Sequence, residues 1–139
     1  SEDESILEFS AKKGIAEKPD YVLFNGKLGA LTKDNALMAK AGDKIRIYFG
    51  NIGSNSASFH IMGEIFDQVY LEGSLNGITN KNVQTTLVPP GGAAIVEFKV
   101  DNPGNYLLVD HSIFRVKKGA LGILEVSGEE DQEIFRALD

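Results

Sequence analysis

The chain has no cysteine, no tryptophan, two histidines, two methionines and four prolines among its 139 residues. Without cysteine there is no disulfide, no thiolate nucleophile, no iron–sulfur cluster, no Cys-based zinc site and no copper centre of the kind that needs a thiolate. No stretch approaches the ~18 to 20 consecutive apolar residues of a membrane span, and Ser1 opens an acidic segment in place of the basic, then apolar, pattern of a signal peptide. No membrane-spanning helix is therefore expected. A basic cluster is missing as well. Against 14 Lys and Arg stand 20 Asp and Glu, a net charge of −6, which disfavours nucleic acid, whose binding rests on neutralising phosphates. Gly26, Gly29, Gly50, Gly53 and Gly63 open no helix as a cluster, so no phosphate-binding fingerprint is formed.

What remains describes one globular domain of a size that supports a single core. Its charge is uneven. Residues 1–20 and 127–139 together carry eleven acids and four bases, whereas 21–126 carries nine acids and ten bases. The ends thus read as appendages, a linker-like extension over 1–20 and an acidic tail over 127–139, on a compact domain spanning 21–126. Glu129 to Leu138 predicts a short C-terminal helix, with acids in its first turn and Ile134, Phe135 and Leu138 on one face.

The middle reads as short strands divided by turn chemistry. Ile45, Ile47 and Phe49 alternate with Lys44, Arg46 and Tyr48, and Ala94, Val96, Phe98 and Val100 alternate with Glu97 and Lys99. Gly122, Leu124 and Val126 repeat the period of two, the mark of a strand with one buried face. Tyr21 to Phe24, Ser58 to Met62, Gln68 to Leu71, Thr85 to Val88 and Tyr106 to His111 are further expected strands, each bounded by Gly, Asn or Pro. Pro89-Pro90-Gly91-Gly92 and Asn102-Pro103-Gly104-Asn105 are strong breaks, because Pro fixes φ and Gly supplies φ > 0. About eight strands at intervals of roughly 8 to 12 residues predict an all-β, Greek-key β-sandwich or barrel.

Both histidines, His60 and His111, sit inside apolar strand-like runs, where imidazole is costly to bury without a partner. One chain with two imidazoles, Met38, Met62 and scattered carboxylates is short of the three or more ligands that zinc and copper sites use, so a complete metal site needs donors from outside. Asp110 adjoins His111, but neighbouring strand residues point to opposite faces, which excludes a simple catalytic dyad. Glu64, Asp67 and Glu72 read as a solvated loop and strand face.

Several ordered motifs carry a resemblance. They are Tyr21-Val22-Leu23-Phe24-Asn25-Gly26 with Gly29-Ala30-Leu31-Thr32, Ser58-Phe59-His60-Ile61-Met62-Gly63-Glu64-Ile65-Phe66-Asp67, Pro103-Gly104-Asn105-Tyr106, Leu108-Val109-Asp110-His111-Ser112-Ile113-Phe114-Arg115, and Lys118-Gly119-Ala120-Leu121-Gly122. Together they resemble the second, C-terminal cupredoxin domain of copper-containing nitrite reductases, in the outer-membrane or periplasmic branch found in Neisseria-like bacteria. The similarity runs from about Gly14 to the end.

The resemblance implies a cupredoxin-like sandwich and the one-electron reduction of nitrite to nitric oxide and water with two protons. In that family a type 1 copper in the first domain passes the electron to a type 2 copper held by three histidines. The third histidine comes from the second domain of a neighbouring subunit in a trimer. By motif that ligand is His111, and the proton-relay histidine is His60, with Thr85 as the residue whose hydroxyl orients it. The resemblance also implies an extracytoplasmic location, periplasmic or at the outer membrane. The first domain, with its type 1 copper and the other ligands of the type 2 site, is not in this sequence, so the chain by itself is expected to be inactive. Two other classes compete: a metal-free structural or interaction module with both histidines as packing residues, and a carbohydrate-binding sandwich, disfavoured by the absence of Trp.

Overall fold

The computed structural model describes residues 8–129, and all but the first residue of the expected helix over 129–138 lie outside them. Among the described residues, nine strands form two sheets: β1 Leu37–Lys40, β2 Lys44–Gly50, β3 Ala57–Met62, β4 Phe66–Leu71, β5 Thr79–Val83, β6 Thr85–Val88, β7 Ala93–Lys99, β8 Gly104–Asp110 and β9 Leu121–Ser127. One sheet has the order β1-β9-β8-β3-β6 and the other β2-β7-β4-β5. All pairings are antiparallel except β1 with β9, which run parallel. The architecture is the cupredoxin-like β-sandwich.

Alternation decides which residues meet between the sheets. Phe59, Ile61, Tyr106, Leu108, Leu124 and Val126 from the five-stranded sheet pack on Phe66, Val69, Val96 and Phe98 from the other. An aromatic chain runs through this core: Phe49 stacks on Phe59 at 4.5 Å between centroids, Phe59 on Phe66 at 5.7 Å, and Phe66 lies 5.9 Å from Phe98. Because Phe59 and Ile61 are anchored inside, Ser58, His60 and Met62 must point outward.

Two expectations from the sequence need correction. Tyr21 to Phe24 is not a strand. Val22 donates its N–H to the Lys118 carbonyl, the chain turns through Asn25 at φ 49°, and Phe24 starts a 3₁₀ turn over Phe24–Gly26. Phe24 sets its ring edge-on against Phe49 and Phe59, so this apolar run closes the side of the sandwich instead of joining a ladder. The strand expected to run from Tyr106 to His111 starts earlier, at Gly104, and stops at Asp110, one residue short of the histidine. In the linker-like segment, a short helix, α1 over Ala11–Ile15, is capped by the Ser10 side chain and buries none of its residues.

The outer faces of the two sheets differ. On the four-stranded sheet, Lys44, Arg46, Gln68, Lys81, Glu97 and Lys99 lie in register, and Arg46 pairs with Glu97, which also accepts from the Tyr70 hydroxyl. That is a solvated face. The five-stranded sheet instead turns Met38, Met62, Leu87, Leu107, Leu121 and Ile123 outward, with Met38 71% and Leu87 64% exposed, while Val109 on the same face is buried. No helix among the described residues is long and apolar enough to cross a membrane.

Candidate functional site

His60 and His111, 51 positions apart in sequence, come together on that apolar outer face. Pairing of β3 with β8 sets Phe59 opposite Asp110 and His60 opposite Val109. His111 follows directly after β8 and donates its N–H to the Ser58 carbonyl at 2.7 Å, which extends the ladder by half a rung. His60 and His111 are therefore diagonal neighbours on one face, a separation within reach of large side chains. Their ring centroids lie 5.2 Å apart, with planes inclined at 65°.

The two rings are held differently. His60 is half-buried, and its Nδ1 lies 2.6 Å from the Gln84 carbonyl. A carbonyl only accepts, so Nδ1 carries the hydrogen and Nε2 is the nitrogen left to face outward. This carbonyl is available because the chain changes sheets at Gln84, between β5 in one sheet and β6 in the other. Thr85 stands directly opposite His60 in the β3–β6 register, while the ring's own bond goes to the residue before it. His111 is exposed, and its ring has no hydrogen-bond partner among the described residues.

Sequence reasoning did not single out Gln84, because a main-chain carbonyl leaves no trace in side-chain motifs. Asp110 behaves as strand geometry dictates: its side chain turns inward, away from the His111 ring, and is 2% exposed. Glu64 lies half-buried in the turn after β3, and burial first, then the nearby Asp101 and Asp67, raises its carboxyl above the ordinary value. Among the described residues no group of three or more His, Asp or Glu side chains could hold a metal. A cavity of about 950 Å³ opens on the other side of the sheet and is lined by residues that include Phe24, Leu31, Leu37, Ile47, Phe49 and Phe59. Neither histidine borders it. The histidine pair thus lies on an outer sheet face and not in that cavity.

A sandwich of this topology has clear counterparts among known proteins. The model of the multicopper oxidase family matches residues 6–127, and the chain belongs to that family. Within the family it is 59% identical over 134 residues to the copper-containing nitrite reductase of Neisseria meningitidis serogroup A, a match covering 95% of this chain and 34% of that protein. Among solved structures, the Cu-containing nitrite reductase of Thermus scotoductus superposes with a TM-score of 0.79 at 34% identity, over 85% of this chain and 28% of the other. The copper nitrite reductase of Nitrosomonas europaea superposes with a TM-score of 0.77 at 30% identity, over 88% and 46% respectively. The chain spans about a third of the length of the curated relatives it matches.

Proposed function

We propose that this chain is the C-terminal cupredoxin domain of a nitric-oxide-forming copper nitrite reductase, giving one copper ligand, His111, and one proton-relay residue, His60, to a site completed by another subunit. The observation that carries the reading is the convergence of the only two histidines, 5.2 Å apart, on the one outer sheet face that is apolar. An exposed apolar face on a sandwich marks a surface that another body covers. The extracytoplasmic location and the trimer belong to the same proposal, as does a partner domain holding type 1 copper.

The donor set fits copper as far as it goes. The exposed His111 imidazole keeps its ring free to coordinate, and neutral nitrogen donors suit this metal. Bound copper would supply Lewis acidity toward nitrite and deliver the electron. The overall change is nitrite plus one electron plus two protons giving nitric oxide and water. His60 serves the proton side of that balance. With Nδ1–H engaged by Gln84, its outward Nε2 is the atom that takes up a proton and releases it toward the oxygen that leaves as water. Thr85, opposite His60, is the residue proposed to steady the ring through its hydroxyl.

The test is a pair of substitutions in the assembly with the type 1 copper domain, scored by copper content and nitrite turnover. His111→Ala is expected to empty the type 2 site. His60→Ala is expected to leave copper bound and cut turnover by about 10² to 10⁴-fold, the usual contribution of a general acid. If both variants change only thermal stability, with copper and rate intact, the histidines are packing residues and the chain is a metal-free module.

A further inference from the structure

Asp110 is the one buried charged residue among the described residues, and the chemistry above makes no use of it. Its Oδ1 accepts from the Ser58 N–H at 3.2 Å and the Ser112 N–H at 3.0 Å. Its Oδ2 accepts from Arg115 Nη1 at 2.6 Å, and the same nitrogen donates to the Ser56 carbonyl at 2.7 Å. One carboxylate therefore joins β3, the turn after His111 and the 3₁₀ segment Ile113–Lys118.

The reason lies in how β8 ends. Past Asp110 the rung facing Ser58 is only half made by backbone, since His111 N–H reaches the Ser58 carbonyl while the Ser58 N–H turns to the Asp110 side chain. A continuing strand would meet that donor with a main-chain carbonyl. Here the carboxylate replaces it, and the same oxygen closes an Asx turn onto Ser112. The chain can then leave the sheet at His111 without orphaning a buried donor. A buried carboxylate is costly unless paired, and Arg115 supplies the pairing.

We propose that Asp110, clamped by Arg115, is a positioning residue that fixes the His111 ring against His60, and so sets the ligand's geometry from the inner side of the sheet. The ring placement concerns the metal-free chain alone; its consequence for copper rests on His111 being a ligand.

The experiment compares the full chain with its Asp110→Asn and Arg115→Met variants by nuclear magnetic resonance, without metal. The wild-type chain is expected to show a contact between the His60 and His111 ring protons. In Asp110→Asn, of equal size but presenting an amide to two donors and a guanidinium, that contact is expected to vanish. The Ser58 and Ser112 amides should then exchange about 10- to 100-fold faster, as suits the loss of hydrogen bonds to a charged group, while Val96 and Phe98 stay protected. An inter-ring contact of wild-type intensity in Asp110→Asn overturns the proposal, whatever the amides do. If that variant does not fold, Arg115→Met decides by the same criterion, because methionine keeps a long stem but offers no donor to Asp110 or Ser56.

A second arm measures copper uptake by the assembly, where Asp110→Asn should weaken type 2 copper binding by about 10- to 100-fold, the usual cost of losing a ligand's support. Copper held at wild-type affinity by Asp110→Asn overturns the copper half of the proposal. Copper retained by His111→Ala removes the ligand assignment and leaves the ring result standing.

Discussion

Glu64 shows how one half-buried side chain can tune the stability of the whole. It follows Gly63 in the turn after β3, where its N–H donates to the Ile61 carbonyl. Burial raises its carboxyl above the ordinary value of 4.5, and the negative field of Asp101 and Asp67 adds to the effect. The folded state thus holds this proton more tightly than the unfolded chain does, so stability from Glu64 falls as pH rises from 4.5 through the folded value. Glu64→Gln is expected to unfold at a higher temperature than the wild type at pH 7. Well below pH 4.5 the two should melt together. Melting curves at both ends of the range check this, and a variant less stable than wild type at pH 7 contradicts it. At this scale the sequence was a good guide to residue type. His60 and His111 stood out as imidazoles in apolar runs, and Asp110 was set on the opposite face from His111. Their closeness was not legible from spacing alone, because it depends on a β3–β8 register that no local pattern encodes.

The segment from His111 to Ala120 depends on how it stops. The 3₁₀ turn Ile113–Lys118 ends at Gly119, with φ 113°. A Cβ there would sit 2.6 Å from Leu23 Cδ2, 2.8 Å from Leu28 Cδ1 and 3.2 Å from the Val22 carbonyl. Gly119→Ala combines a left-handed backbone with a clash against the segment that closes the sandwich. It should cost about 1–3 kcal/mol or more in urea denaturation, and an unchanged midpoint would refute that. Strand elements were legible where alternation was long. β2, β7 and β9 follow directly from their period of two. β6 falls at the expected Thr85 to Val88. β1 and β5 were not foreseen. Leu37–Lys40 is only four residues and is held by parallel pairing with β9, while Thr79–Val83 has a polar sequence and is fixed by pairing with β4. In both, tertiary pairing outweighs local preference. The run Tyr21 to Phe24 failed in the opposite sense, since its apolar residues fill the flank of the core without entering a ladder.

At the scale of the whole molecule, the contrast between the two outer faces separates folding from assembly. The charged face of the four-stranded sheet is a solvated one in this chain. The apolar face around the histidines contributes little to the fold at its exposed positions, so Leu87→Lys, at a residue 64% exposed, should change stability by no more than about 0.5 kcal/mol. Under the assembly proposed above, it should nonetheless block association with the type 1 copper domain and lower copper content in proportion. Sedimentation of the mixed domains, read beside the melting curve of the chain alone, checks both halves. Normal association by Leu87→Lys would show that this face is not the one covered.

The short strand β6 has a further consequence for any such encounter. It forms the border of its sheet beside His60, has only four residues, and runs straight into Pro89 and Pro90. Proline has no N–H to offer a newcomer, so the border is poorly suited to lengthening by a strand from another molecule. A body meeting the two imidazoles is therefore expected to come down upon them flatwise, side chain against side chain, in preference to zipping onto the rim.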